Sequence, residues 1–179
     1  MAKKKVSPEL EEAILGLPLK EKHKLLLRLI NKEELLVEQL QYRLLENSEA
    51  DLVYRRNDLK EKIDKIFKTH TLHYYKDLLF YIRDGVSLIN RHMKITKDKR
   101  GELELLIFLH QAAFTHLHRI KNNWRDQLYL EKLVAYSGSK IEKMNALLQE
   151  LHEDFRIEFE EDIAGLRTQI TVLNRSLHL

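Results

Sequence analysis

Apolar residues recur every three or four positions along most of this chain, the spacing of one face of an α-helix. Ser7-Pro8 reads as a helix start, a hydroxyl N-cap followed by proline at the first helical position. Leu10, Ile14 and Leu17 give it a short apolar face, which Gly16 and Pro18 end. A second helix carries Leu25, Leu26, Leu29 and Ile30. Asn31-Lys32-Glu33-Glu34 has capping-box spacing and opens a third helix, through Leu36, Leu40 and Leu44 to Glu46.

Ser48-Glu49-Ala50-Asp51 is the next start signal. The stripe behind it, Leu52, Arg56, Leu59, Ile63, Ile66 and His70, is helical in spacing but flawed by its two polar members. A break falls at Thr69 to Thr71, and the rhythm resumes at Tyr75, Leu79, Ile82, Val86, Ile89 and Met93. Lys97 to Gly101 reads as a polar turn. From Glu102 the chain is apolar nearly all round, which places that helix at the centre of a bundle. Asn122-Asn123 marks a further break before Trp124, Leu128 and Leu133, and Ser137-Gly138-Ser139 reads as a turn.

The last segment is the most regular. Ile141, Met144, Leu148, Leu151, Phe155, Phe159, Ile163, Leu166, Ile170, Leu173 and Leu177 form a heptad seam with one four-residue stutter at Phe155 to Ile163. A continuous helix over 141–177 would be a rod of about 55 Å. The competing pattern is a small hairpin around Gly165, since 155–159 also alternate with period two and 169–172 are β-prone. Helix is preferred, because the seam survives on both sides. Such a stripe has to pack on an apolar face, inside the fold or across a dimer.

Composition agrees with this pattern. Leucine occurs 34 times and Val and Thr together 12 times, with 5 Gly and 2 Pro in 179 residues. Leucine enters a helix at little entropic cost, whereas β-branched side chains lose freedom there. The expected fold is therefore all-α: an antiparallel bundle of six to eight helices, one domain over 1–179, with 139–179 as a possible extended C-terminal helical segment. The absence of cysteine excludes disulfides and thiolate chemistry and favours a reducing, cytoplasmic setting. The basic N-terminus is not followed by an apolar stretch of signal-peptide type, and no run approaches a membrane span. A net charge of +3 is too small to imply nucleic acid.

Chemical signatures are sparse. Among the nine histidines only His70 and His73 have the spacing for one helix face, and they fall at a break. Nucleophile elbows, phosphate loops and dinucleotide fingerprints are absent, so no cofactor is expected and the chain reads as a non-enzyme. Residues 150–162 carry seven carboxylates against Arg156. Glu150 and Asp154 have the spacing to share a helix face, as do Glu158 and Asp162 and, far away, Glu34 and Glu38. Four carboxylates, Glu34, Glu38, Glu150 and Asp154, could hold Mg²⁺ for a phosphate substrate. This pattern resembles the all-helical nucleoside-triphosphate pyrophosphohydrolases of the MazG and dimeric dUTPase type. It departs from them in that Glu38 stands one position late in Glu-Glu-x-x-Glu and the second motif is only loosely present.

Two further features suggest contact surfaces. Arg91, Lys94, Lys97, Lys99 and Arg100, with Lys3, Lys4 and Lys5, could meet phosphates, but no aromatic residues interleave 91–100 to stack bases. That basic stretch could equally be the intramolecular mate of the acidic run. Tyr74, Tyr75, Phe80 and Tyr81 cannot all face one core, so some ring is expected at the surface, and Tyr42 and Tyr54 could extend it. The candidate interaction surface is thus Tyr74, Tyr75, Tyr81, Arg91, Lys94, Lys97 and Arg100. The stretch Leu17 to Glu46, LPLKEKHKLLLRLINKEELLVEQLQYRLLE, resembles the opening of a family of small bacterial all-helical proteins with no established function. That resemblance implies a bacterial cytoplasmic protein and carries no catalytic residues. The leading expectation is a helical interaction or scaffold protein that binds a protein partner or itself. A Mg²⁺-dependent nucleotide hydrolase is the alternative, and nucleic-acid binding comes third.

Overall fold

A computed structural model describes residues 6–46, 48–120 and 126–176. The described residues form no strand. They make eight α-helices: α1 Pro8–Gly16, α2 Leu19–Ile30, α3 Glu34–Gln41, α4 Glu49–Thr69, α5 Tyr75–Thr96, α6 Lys99–Phe114, α7 Gln127–Glu150 and α8 Glu153–Arg175. A π-helical turn, Tyr42–Glu46, extends α3, and a 3₁₀ turn, Leu117–Arg119, follows α6. None of these helices is long and apolar enough to cross a membrane. The chain divides into two compact units, Met1–Glu46 and Asn47–Leu179.

The larger unit is a five-helix, up-and-down bundle, and α6 is its axis. Helix α6 packs against α4, α5, α7 and α8, which is why its sequence is apolar on every side. Ten of its sixteen residues are buried, among them Leu103, Leu105, Leu106, Leu109 and Phe114. Cross-helix pairs fix the directions. Helix α6 meets α7 through two ion pairs of opposite order, Lys99 with Glu150 and Glu102 with Lys143, and Arg167 of α8 meets Glu142 of α7 across the short turn at 151–152. Successive helices therefore run antiparallel, as short connections require.

The helix starts follow local chemistry. Ser7 accepts from the Leu10 N–H, with Pro8 at the first helical position. At α4 the Ser48 hydroxyl accepts from Asp51 N–H while the Asp51 carboxylate accepts from Ser48 N–H, a reciprocal capping box. Asp98 caps α6 by accepting from Gly101 N–H at 2.9 Å.

Several expectations change. The 141–177 seam is not one rod. Helix α7 ends at Glu150, Leu151 and His152 are extended, and α8 folds back so that Arg167 meets Glu142 at 3.3 Å. Arg156 holds the reversal by donating to the carbonyls of Leu151 (3.0 Å) and Gln149 (2.8 Å), both left free by the end of α7. The seam thus packs inside the fold: Ile141, Met144 and Leu148 of α7 and Phe159, Ile163, Leu166 and Leu173 of α8 are all buried. Residues 155–172 are helical, so the hairpin reading falls. Ser137-Gly138-Ser139 is no turn but the middle of α7, where Ser139 Oγ donates to the Tyr136 carbonyl at 2.7 Å and stays within the helix. Asn31 does not cap α3. It closes α2, and Glu33 precedes α3. Lys3 to Lys5, Asn122, Asn123, Trp124 and Leu177 lie outside the described residues.

Candidate interaction surface

The smaller unit presents the most unusual surface. Helices α1, α2 and α3 are 9, 12 and 8 residues long, and none of their residues is buried. Eleven large apolar residues of Pro8–Glu46 are exposed, from Leu10 and Ile14 on α1 through Leu26 and Leu29 on α2 to Leu45, which is 81% exposed. Helix α2 is strongly amphipathic, with Lys20, Glu21, Lys24 and Arg28 opposite its leucines. Lys22 reaches back to donate to the Leu15 carbonyl at 2.6 Å, one of the groups that α1 leaves unpaired at its end. The amphipathic pattern of this unit leaves much of its apolar surface exposed, while Leu17, Leu25, Ile30, Leu35 and Leu40 are half-buried.

In the larger unit the aromatic cluster splits as the sequence requires. Tyr74 is 50% exposed and Phe80 63%. Tyr81 is half-buried, its ring 4.7 Å from His70 and edge-on to Phe80 at 5.3 Å. Tyr75 is buried and so is removed from the candidate surface. Its N–H donates to Asp126 at 2.5 Å, and burial, with Asp126 adding to it, pushes its phenol pKa up.

The basic stretch is largely spoken for. Lys99 pairs with Glu150, and Arg100 donates to Glu158 at 3.1 Å while lying 4.4 Å over the Phe155 ring. Arg100 is thus the intramolecular mate of the acidic run rather than an open cation. Lys97 is exposed and closes α5 in the left-handed conformation at φ 60°. Lys94 is exposed and Arg91 half-buried. The candidate carboxylates lie on separate elements. Glu34 and Glu38 lie on α3 in the smaller unit. Glu150 ends α7, and Asp154 stands beyond the break, beside His152. Glu150 and Asp154 therefore do not share a helix. Asp162 accepts from Gln111 at 2.7 Å. Among the described residues, no group of three or more His, Asp or Glu is placed to hold a metal ion.

One polar site was visible in the sequence only as a flaw. Arg56, the break in the α4 stripe, is buried and forms a bidentate pair with Asp98 at 2.6 and 2.9 Å, with Glu104 and Glu49 each at 3.7 Å. Bidentate geometry is the strong form of this contact. Burial alone would push the Asp98 carboxyl up. The His92 ring 3.7 Å away, the Arg56 guanidinium and the Gly101 N–H outweigh that and hold it well below the usual carboxylate range. Gly101 is required here, because a Cβ would collide with Asp98 Oδ2 and lie 2.7 Å from Arg56 Nε. The arrangement ties α4 to the α5–α6 turn. It is a structural clasp built on a salt bridge between two buried side chains.

The fold and surfaces define an all-helical protein of two units: a packed five-helix bundle, and a small three-helix unit with many exposed apolar side chains. No protein family matches the chain, and no curated protein or solved structure is similar to it. The resemblances of Leu17–Glu46 and of the carboxylate pairs stand without a matching relative.

Proposed function

We propose that this chain is a helical interaction protein in which Asn47–Leu179 is the rigid body and Pro8–Glu46 is a docking arm for another protein. The observation that carries this reading is the arm's lack of any buried residue beside its eleven exposed large apolar side chains. Isolated helices shorter than about 12–15 residues are marginal in water and draw most of their stability from packing an amphipathic face. All three helices of the arm are at or below that length. A partner surface would supply the missing packing, at roughly 1.5–3 kcal/mol for each leucine fully buried. Exposed apolar patches of this kind are rare on monomers outside interaction sites.

The test is dye binding and hydrogen exchange on the full chain at submicromolar concentration. The expected result is fluorescence enhancement of anilinonaphthalene sulfonate that falls several-fold in Leu26→Asp/Leu29→Asp. Backbone amides of α1–α3 should exchange far faster than those of α6. Dye binding that ignores the double variant, or arm amides as protected as those of α6, would overturn the reading.

A further inference from the structure

We infer that the seam between α5 and α7 is a binding surface for single-stranded nucleic acid, with Lys76, Arg83, Lys132 and Lys140 meeting phosphates and Phe80 stacking a base. This surface lies wholly within Asn47–Leu179 and is independent of the docking arm. Helices α5 and α7 pack side by side, and two matching groups along them set their register. Lys76 of α5 lies 5.8 Å from the ring centre of Tyr129 of α7, and Arg83 lies 5.1 Å from that of Tyr136. Each ring takes a second cation from its own helix, Lys132 at 5.2 Å from Tyr129 and Lys140 at 5.0 Å from Tyr136. On both helices the step from one group to the next is seven residues, two helical turns or about 10 Å along the seam. Phe80 sits between the groups on α5, one turn from Lys76 and from Arg83, and is 63% exposed.

Charge and rings share one face here. Lys76, Arg83 and Lys132 are exposed and Lys140 is half-buried, and among the described residues none of the four has a carboxylate partner. The carboxylates of the two helices stand elsewhere. Asp77 caps the start of α5, and Asp84 lines the cleft toward α4. Glu142 meets Arg167 of α8, Glu150 pairs with Lys99, and helical spacing puts Glu131 on another face of α7 from Tyr129 and Tyr136. Burial, then the neighbouring Lys143, pulls the Lys140 pKa down against the partial relief of Glu102, the effect of like charge left over. A chain total of +3 averages this local concentration away. The ring contacts also hold the cations along the seam, so less side-chain freedom is lost when they engage a ligand. Nucleic acid is the polyanion that alternates charge with planar rings. Its phosphates suit the four cations, and an unpaired base suits the open ring of Phe80 and the plane of Arg83. In a duplex the bases stack on one another and are closed to Phe80. A membrane requires a broad apolar face, whereas the large apolar side chain that α5 exposes is Phe80. An acidic peptide offers carboxylates but no repeating ring for Phe80 to stack.

The test is fluorescence anisotropy of a labelled, mixed-sequence single strand of about 15 nucleotides, titrated with the full chain at low salt. RNA and DNA strands are run in parallel, with the matched duplex and polyglutamate as competitors. The single strand should bind more tightly than either competitor. The slope of log K against log salt should be about −2 to −3 for four phosphate contacts. Replacing Lys76, Arg83, Lys132 and Lys140 together by Ala should abolish binding. Phe80→Ala should weaken it about tenfold and leave the salt slope unchanged. Arg83→Lys, which keeps the charge and loses the plane, should weaken it several-fold in the same way. Lys65→Ala, at an exposed lysine of α4, and Leu26→Asp/Leu29→Asp should bind as the parent does, and unchanged thermal melts show that the seam variants are folded. Binding of RNA or of DNA on these terms supports the proposal, and the tighter of the two names the strand. No binding at low salt, or binding that survives the four-alanine variant, overturns it. Equal binding of the duplex, indifferent to Phe80→Ala, also overturns it and makes the seam a general polyanion surface. Tighter binding of polyglutamate overturns it in favour of an acidic protein.

Discussion

Helices α2 and α5 are written in the same code and meet opposite fates. Both are amphipathic, with leucines or isoleucines at helical spacing and charge on the other face. Helix α5 buries nine of its 22 residues, including Leu78, Ile82 and Ile89 without residual exposure. Helix α2 buries none of its 12. Spacing determines which residues share a face, but a face is covered only where enough helices surround it. In the larger unit α6 has neighbours on every side. The smaller unit has three short helices, too few to enclose a centre. Apolar periodicity thus reports amphipathicity and leaves burial open.

The strongest test of the contrast is at the clasp. Arg56→Ala leaves the buried Asp98 carboxylate without its bidentate partner. It should destabilise the larger unit by about 3–5 kcal/mol, read as a drop in the urea midpoint of helical circular dichroism. A change within error would mean that Asp98 is relieved by water, and that the bundle is far looser at the α5–α6 turn than the geometry implies.

Leucine truncation compares the units directly. Leu106→Ala, at the bundle axis, should cost about 2–5 kcal/mol once the cavity is counted. Leu26→Ala, 55% exposed, should stay within about 0.5 kcal/mol in dilute solution. Equal costs would mean that α2 is covered within a single chain.

Acid should act on the bundle through His110. This ring is wholly buried, its Nδ1–H donates to the Leu106 carbonyl at 2.8 Å, and its Nε2 has no partner. Burial above all pushes its pKa down to about 4, against about 6.5 for an unfolded histidine. The folded-state value is the depressed one, so the stability is complete above about pH 6.5 and is lost as pH falls toward 4. The slope should approach 1.4 kcal/mol per pH unit in that window. His110→Leu should flatten it, checked by urea midpoints at three pH values. Asp98, whose folded pKa is also depressed, adds its own loss at lower pH, beginning as the unfolded carboxylate titrates near 4.

The smallest effects compare two helical glycines of the same unit. Gly101→Ala forces a methyl group into the clasp and should cost about 1–3 kcal/mol. Gly138→Ala meets nothing within 4 Å and should stabilise α7 by about 0.5–1 kcal/mol through helix propensity. If Gly138→Ala destabilises instead, the middle of α7 is strained and the sequence's suggestion of a turn there carries weight.

The sequence by itself determined the all-α class, the capped starts at Ser7 and Ser48, the breaks near Thr69 and at Lys97, and the central place of α6. Each of these rests on interactions within a few residues or on one helix's own periphery, and such information is local. It also foretold that the tyrosine cluster could not be wholly buried. Tertiary structure decided the rest. A heptad seam reads the same in a straight helix and in two helices that fold back on each other. Only the capping of α7 by Arg156 and the meeting of Arg167 with Glu142 distinguish them. The pairing of Arg56 with Asp98 spans 42 residues, and that of Arg100 with Glu158 spans 58, so nothing local could assign them. The same holds for the leucines of α2. Whether an apolar face ends in a core or in water depends on what the rest of the molecule brings to it, and periodicity carries no information about that neighbour.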